Sequence, residues 1–583
     1  MPVLYFTRGW ATGLRKASAI AALCLSAQIP FANATTYYFS SSGNDTNSGT
    51  SPGAPWKSLS EIYYKSARIG GHAPYFAPGD SILLKAGDTF YERIQMFGDG
   101  AVYSRITLGR YGEGANPLLI GDNVNATWTL VAGRTNIYST PVSGILIVSE
   151  TNGTLYGEMP NLDDFAGATN QWMDTFTNLS WGKLTAGGTV VYLRTSDDTA
   201  PGTGRLRAFH KPVESSGSYV TIEHLDVRRA YYGISIGPKY ISGNYVNTTN
   251  PIVRNCNIED TCGCGLRFYY TTSGEMASNT VTRTGWTSTY LGDRCISNWM
   301  HHNTISFATN IILKIADPFR ESQELGGIGM KQGAHNIVER NDVSEVNGFV
   351  DTYYEQGSVI RYNYFHSSRI GSGIAPHGTG YDIHHNIFNF GPQGQKAIGG
   401  FWAYDAGASY GPALGTNLIY NNVFYNFTVY GFYSGTNYPP GVMLRNNIFV
   451  GASGATLAQS CIGPDCVYNL FYCLGTPKFY WNAHETGHTL ASYRAASGME
   501  SNSIYANPMF VSDKPVTAVD FQLKSTSPCI NAGQDLKLAG LLGPAAQYQD
   551  YLGTPIPRGT GPDIGAYEKI PLLDPPTNLH ISQ

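Results

Sequence analysis

The sequence predicts an all-β solenoid, a parallel β-helix of about ten or more stacked coils. Three observations point there. First, a six-residue phrase recurs, with an apolar residue, two variable residues, an inward position most often filled by Asn, a variable residue and an apolar residue. It reads "VRNCNI", "MASNTV", "VERNDV" and "LRNNIF" at successive places. The inward positions are Leu225, Cys256, Asn279, Asn303, Asn341, Asn363, Asn386, Asn422, Asn447 and Asn469. Second, most intervals between them are 22–25 residues, inside the range of repeat architectures. Third, the 583 residues are 42% hydrophobic and only 14% charged, with 67 Gly and 40 Tyr. That suits many short strands and tight turns and is too apolar for disorder. Stacked Asn side chains can hydrogen-bond from rung to rung at strand spacing, which satisfies buried amides. An antiparallel sandwich would need regular two-residue hairpin turns, which are scarce here.

In chain order, residues 1–34 read as a secretory leader. Arg8, Arg15 and Lys16 precede an apolar run, Ala17 to Leu25, and Ala32-Asn33-Ala34 is a cleavage signal. No other run is apolar and long enough to span a bilayer, so the mature chain is expected to be exported. A net charge of −4 offers no basic footprint for nucleic acid. Any acidic ligand must be held by local Lys and Arg. Eight cysteines follow the leader, and an even count in an exported chain permits disulfides, with Cys461–Cys466 the plausible local pair. Cys262-Gly-Cys264 lacks the usual zinc spacing, so buried or cross-linked structural cysteines are expected ahead of a metal site.

Residues 35–95 hold a strand near Tyr37, a turn rich in Gly, Asn and Asp, a short helix near Ser58–Lys65, and "PGDSILLKAGDTFYERI" at 78–94. This opening resembles the N-terminal cap and first coils of secreted right-handed parallel β-helix proteins, the pectate-lyase-like superfamily. The resemblance implies a right-handed helix whose open end is covered by the helix, and a carbohydrate-active protein. Asn44, Asp45 and Asn47 offer oxygens for Ca²⁺ or simply lock the cap turn. Residues 120–215 read as a β-rich insertion and 218–475 as the regular coils. Residues 507–568 resemble the closing segment of the same superfamily, expected to cover the far end of the core. Residues 569–583 are a Pro-containing tail.

The site is expected on Gly326–Phe388. Two intervals are long, 38 residues from Asn303 to Asn341 and 36 from Asn386 to Asn422. The surplus must leave the solenoid as loops at 313–327 and 389–415, and insertions in repeat proteins gather on the binding face. Aligning three phrases on Gly333, Gly357 and Gly378 puts Lys331 and Glu355 side by side. A charge in the core is costly, so both are expected outside, about one strand spacing (~4.8 Å) apart. They form either a catalytic pair or a plain cross-strand ion pair. Asp351, Tyr353 and His377 complete the expected catalytic set. Arg320, Asp317, Arg369, Trp402, Tyr404 and Asp405 are the expected substrate contacts on the walls.

Two chemistries fit. β-Elimination on a uronic-acid polysaccharide needs a base and a cation that neutralises the sugar carboxylate. Lys331, Arg369 and Arg320 are the cations, and His377 or Tyr353 the base. Pro376-His377-Gly378 distantly resembles an Arg-His-Gly phrase of alginate and dermatan lyases, with Pro376 where those have Arg. Glycoside hydrolysis needs two carboxylates, available from Asp351, Glu355, Asp317 and Asp405. The lyase is placed slightly ahead of the hydrolase. A non-catalytic glycan-binding or adhesion protein would need only the aromatic walls. The expected partner is a polysaccharide, with no nucleic acid and no membrane, and the expected state is a monomer with no assigned metal.

Overall fold

The computed structural model describes residues 34–569 except 69–70, 74, 124–126, 141–146, 151–156, 159–170, 175–190, 196, 202–205, 309–325, 369–372, 376–377, 391–415, 434–441, 461–464, 482–486 and 544–547. The leader and the tail beyond residue 569 therefore lie outside the described residues.

The chain is a right-handed parallel β-helix. Each coil visits three sheets in turn. In one coil Ile252–Arg254 lies on sheet I, Asn257–Thr261 on sheet II and Leu266–Phe268 on sheet III, and Glu275–Ala277 then starts the next coil on sheet I. Sheets I and II have 13 strands each and sheet III has eight. The solenoid starts well before the Asn signature, since Thr36–Phe39 already pairs in parallel with Ser81–Lys85 on sheet I.

The bend from sheet I to sheet II explains the repeated phrase. The residue before each inward position is left-handed: His224, Asn255, Ser278, His302, Arg340, Tyr362, His385, Asn421, Asn446 and Tyr468 all have φ between 52° and 58°. Outside Gly this conformation is disfavoured, so something must hold it. The next side chain does. From Asn279 to Asn447, each Asn Nδ2 donates to the Oδ1 of the Asn one coil on, at 2.9–3.2 Å. The same Oδ1 accepts the backbone N–H of the previous rung at 2.9–3.0 Å. The second amide proton is also satisfied, as where Asn363 Nδ2 donates to Val338 O at 2.9 Å. Cys256 begins the column by donating its N–H to Asn279 Oδ1 at 3.1 Å.

Behind the ladder runs a dry core. Phe365, Phe388, Phe424, Phe449 and Phe471 stack along the axis with centroids 4.7–5.2 Å apart and near-parallel planes. In-register parallel pairing puts like residues one strand apart, which makes such columns self-consistent. Helix α1 (Ser60–Ala67) buries Ile62 in this core at the N-terminal end, beside Leu59. At the other end the core is covered by helix α2 (Leu490–Ser497), through Leu490 and Tyr493. Thr489 and Ser492 form its capping box, and left-handed Gly498 ends it. The segment after residue 507 does not close the end. It lies along the outside of sheet II, where Phe510, Phe521, Leu523 and Ile564 pack on Tyr364, Ile387, Val423 and Ile448. The described strands between residues 122 and 209 form a separate three-stranded and a separate five-stranded sheet.

One expectation is corrected, and the turn-lock reading of Asn44, Asp45 and Asn47 holds. Cys256, Cys262, Cys264, Cys295, Cys466, Cys473 and Cys529 are buried thiols rather than disulfides. Several are core residues of the coils, and Cys461 lies outside the described residues. Asn44, Asp45 and Asn47 act as turn locks: Asp45 accepts Lys57 N, Ser58 N and Ser58 Oγ at 2.6–2.9 Å, which fixes the approach to α1.

Asn363→Ala removes the acceptor of two Asn341 donors. Each buried group left unsatisfied costs ~1–3 kcal/mol, so the variant should lose about 2–6 kcal/mol in urea unfolding. A loss below ~1 kcal/mol would contradict the ladder as a main support.

Candidate functional site

The outer face of sheet III carries charged and aromatic side chains together, among them Glu214, Arg267, Tyr290, Lys331, Asp351 and Tyr353. Its strands are Ile94–Met96, Val213–Ser215, Ile234–Ile236, Leu266–Phe268, Thr289–Leu291, Gly326–Lys331, Gly348–Tyr353 and Ile374–Ala375, in that spatial order. Alternation sends the flanking residues of each strand into the core and the middle one outward. Register then aligns Gln95, Glu214, Ser235, Arg267, Tyr290, Gly329 and Asp351 in one outward column.

Arg267 organises the upper half. Its guanidinium lies 4.2 Å from the Tyr232 ring centroid and 5.3 Å from that of Tyr269, and its Nε donates to Ser235 Oγ at 3.0 Å. Glu214, one strand beyond Ser235, pairs with Lys211 at 2.8 Å. The rings of half-buried Tyr269 and buried Tyr290 pack closely against Gly292. A Cβ there would come within 2.5 Å of Tyr290 Cε1 and 2.7 Å of Tyr269 Cδ2. Burial raises the phenols of Tyr232, Tyr269 and Tyr290, so each stays a protonated donor at neutral pH. Tyr269 uses its hydroxyl on Asp293 Oδ2 at 2.9 Å.

At the lower half, half-buried Lys331 and Asp351 form an ion pair at 3.6 Å. Tyr353 sits directly opposite Lys331 on the next strand and is 42% exposed. Its hydroxyl donates to that of Tyr354 at 3.1 Å. Lys331, Asp351 and Tyr353 are thus brought together as expected from the sequence. His377, Arg369, Arg320, Asp317, Trp402, Tyr404 and Asp405 lie outside the described residues. Arg267, Tyr232, Tyr269, Tyr290 and Asp293 were missed, although Ser235, Arg267, Tyr290 and Asp351 each stand ten or eleven residues after an inward position.

Glu355 is the main correction. It is fully buried and opposes Gly378, not Lys331. The reason is local: Tyr354 is left-handed, with φ 56°, so alternation stops there and Glu355 turns inward. It ends a second, shorter ladder. Asn298 Nδ2 donates to Asn336 Oδ1 at 3.0 Å, and Asn336 Nδ2 donates to Glu355 Oε1 at 2.6 Å. Ser358 Oγ and Gly333 N–H complete the carboxylate at 2.7 and 2.9 Å. The main ladder ends alike, with Asn469 donating to Glu500 Oε2 and Ser503 Oγ at 3.1 and 2.9 Å. Burial pushes both carboxyls up to about 7, against the pull of these hydrogen bonds.

A cavity of about 1120 Å³ also lies between sheet II and residues 514–519, with Tyr364, His366 and Tyr425 in its lining. Its polar groups largely fasten the C-terminal segment: the Tyr364 hydroxyl donates to Val516 O, and Asn389 donates to Pro515 O. The sheet III face, with its acid–cation pair, is the better candidate site.

No protein-family model matches the chain. Over 98 residues the chain is 36% identical to lacto-N-biosidase of Bifidobacterium longum subsp. longum. That stretch is 16% of this chain and only 6% of that protein's length. Among solved structures, XylC in complex with xylose gives a TM-score of 0.55 at 12% identity, covering 92% of this chain and 99% of that one. This likeness is one of fold. Pectate lyase Pel9A gives 0.41 at 14% identity, covering 92% and 96%. Lacto-N-biosidase from Eubacterium ramulus gives 0.37 at 13%, covering 81% and 66%.

The Glu355 geometry carries a pH dependence. Its folded value of about 7 stands above the ordinary 4.5. Between these values the folded state keeps a proton that the unfolded chain has lost, so stability falls as pH rises through that window. Glu355→Gln removes this contribution. From about pH 5 to about pH 8 the melting temperature of the natural chain should fall more than that of the variant. Equal slopes would contradict the assignment.

Proposed function

We propose that the protein is an exported carbohydrate-active enzyme that lays a glycan chain along the outer face of sheet III and hydrolyses it beside Asp351. One observation carries this reading. The Tyr269 and Tyr290 rings over Gly292 and the Arg267 stack occupy the same face as a half-buried carboxylate–ammonium pair. Rings with one apolar face and a polar tip suit sugars, which offer C–H faces and hydroxyls together. The stretch of identity with a lacto-N-biosidase supports a carbohydrate substrate, and the leader-like residues 1–34 support export.

Hydrolysis is favoured over elimination by charge matching. An elimination site needs a cation for the uronate carboxylate. Among the described residues of this face, Lys331 is paired with Asp351 and Lys211 with Glu214. A neutral sugar fits such a surface better than an acidic one. Asp351 is then one carboxylate of a hydrolytic pair. Asp293, just past the end of the strand two places earlier in the sheet, is the second candidate. Arg267 supports the second reading, a lyase, because a guanidinium spread over aromatic rings can take a sugar carboxylate.

The test is a panel of neutral polysaccharides (xylan, galactan) and acidic ones (polygalacturonate, alginate), read for reducing ends and for absorbance of unsaturated uronides. Reducing ends without absorbance are expected. Both signals together would establish the lyase, and binding with neither would end the enzyme reading. Asp351→Asn should lower turnover by ~10²-fold or more, the scale of general acid–base catalysis, with an unchanged melting temperature. Unchanged turnover would move the chemistry elsewhere.

A further inference from the structure

Sheet III carries an appendage that neither the solenoid nor the acid–cation pair explains. Directly after the strand Ile234–Ile236 the chain makes an antiparallel hairpin, Lys239–Ile241 with Asn244–Val246. Ser242 and Gly243 form its two-residue turn with φ of 50° and 85°, the paired left-handed geometry that matches strand twist in tight hairpins. Tyr240 is 68% exposed, Tyr245 54%, Ile241 50% and Val246 44%. Such a concentration of large apolar side chains in water marks an interaction surface.

The hairpin is held in place. Lys239 pairs with Asp99. Asn247, just after it, donates to Thr272 Oγ1 and Arg294 O at 3.0 Å each. Its rings also connect to the groove. Tyr240 faces Tyr245 across the hairpin with centroids 5.3 Å apart. Tyr245 meets Tyr270 at 5.4 Å, and Tyr270 meets Tyr269 at 4.9 Å. Arg294 lies 5.4 Å over Tyr270. Tyr269 is the ring that contacts Arg267 on the groove floor. An unbroken run of tyrosines thus leads from the candidate site to the tip of a fixed arm.

We propose that this hairpin is an outlying glycan platform, on which Tyr240 and Tyr245 stack against sugar units of the same chain that the sheet III face cleaves. The inference rests on the reading of that face as a glycan groove and adds a preference for long substrates. Sugar is the occupant that the chemistry selects. The two exposed rings of the hairpin are both tyrosines, whose hydroxyls can meet sugar hydroxyls while the faces meet C–H groups. The platform is continuous with the groove rather than isolated from it. Binding energy gained far from the reacting bond is a recognised way to favour long chains.

The test compares the natural chain with Tyr240→Ala/Tyr245→Ala on the best-cleaved polymer of the panel and on its shortest cleaved oligomer. Both side chains are exposed, so the melting temperature should hold. Two lost stacking contacts should raise KM, or the affinity-electrophoresis Kd, for the polymer by about tenfold or more. The kcat and KM for the short oligomer should not change. An equal loss on both lengths, or no loss on either, would overturn the platform while leaving the groove reading intact. If the natural chain binds no glycan of the panel, the groove reading falls and the platform with it. Sedimentation velocity provides the remaining arm. A natural-chain dimer that the double variant makes monomeric would identify the hairpin as a contact between copies and overturn the proposal.

Discussion

The Asn ladder is the interaction on which the rest of the structure depends. Each coil must turn sharply from sheet I to sheet II, and it does so through a residue in the left-handed region. That backbone state is unfavourable by itself for His, Arg, Ser or Tyr. It persists because the next side chain enters the interior and hydrogen-bonds to the identical side chain one coil away. A slip of one coil by one residue would break this bonding and expose the phenylalanine column. The ladder therefore sets the register of the three sheets, and with it the outward column of sheet III. Arg267, Tyr290 and Asp351 line up because asparagines on the other side of the coil do.

A continuous polar column through an apolar core must end somewhere, and both ends seen here use the same device. Glu355 with Ser358 closes the shorter ladder and Glu500 with Ser503 the longer one, with a spacing of three residues in each case. The carboxylate takes the last amide donor and the hydroxyl takes the last backbone N–H. Burial opposes the charge, while the converging donors favour it. Glu355 thus belongs to the scaffold. It lies just after the strand that presents Asp351 and Tyr353, so it fixes the position of the site without touching it.

The fold was legible because its repeat is covalent in period: the Asn intervals of 22 and 23 residues between Asn341, Asn363 and Asn386 are the true registers. Carried forward, they place Glu355 opposite Gly333 and Gly378, as observed. Alignment on turn glycines gave a different answer. Gly357 is a genuine turn residue, with φ 61°, and the equivalent bends lie in register at His335 and Gly380, with φ 57° and 72°, so Gly333 and Gly378 stand two residues before the bend and are not its counterparts. The site was legible in part. Lys331, Asp351 and Tyr353 lie on a regular strand where alternation holds. Glu355 lies past a left-handed residue, where it does not. Arg267 and the tyrosines carry no insertion signal, because the aromatic floor begins three coils before Gly326, outside the coils that the long insertions flank.

The central claim is that the ladder-registered outer face of sheet III is the glycan site. A crystal structure of Asp351→Asn soaked with an oligomer of its cleaved polymer tests it most directly. The expected result is sugar density across Tyr269 and Tyr290, with a glycosidic bond beside residue 351. Density confined to the cavity between sheet II and residues 514–519, with an empty sheet III face, would contradict it.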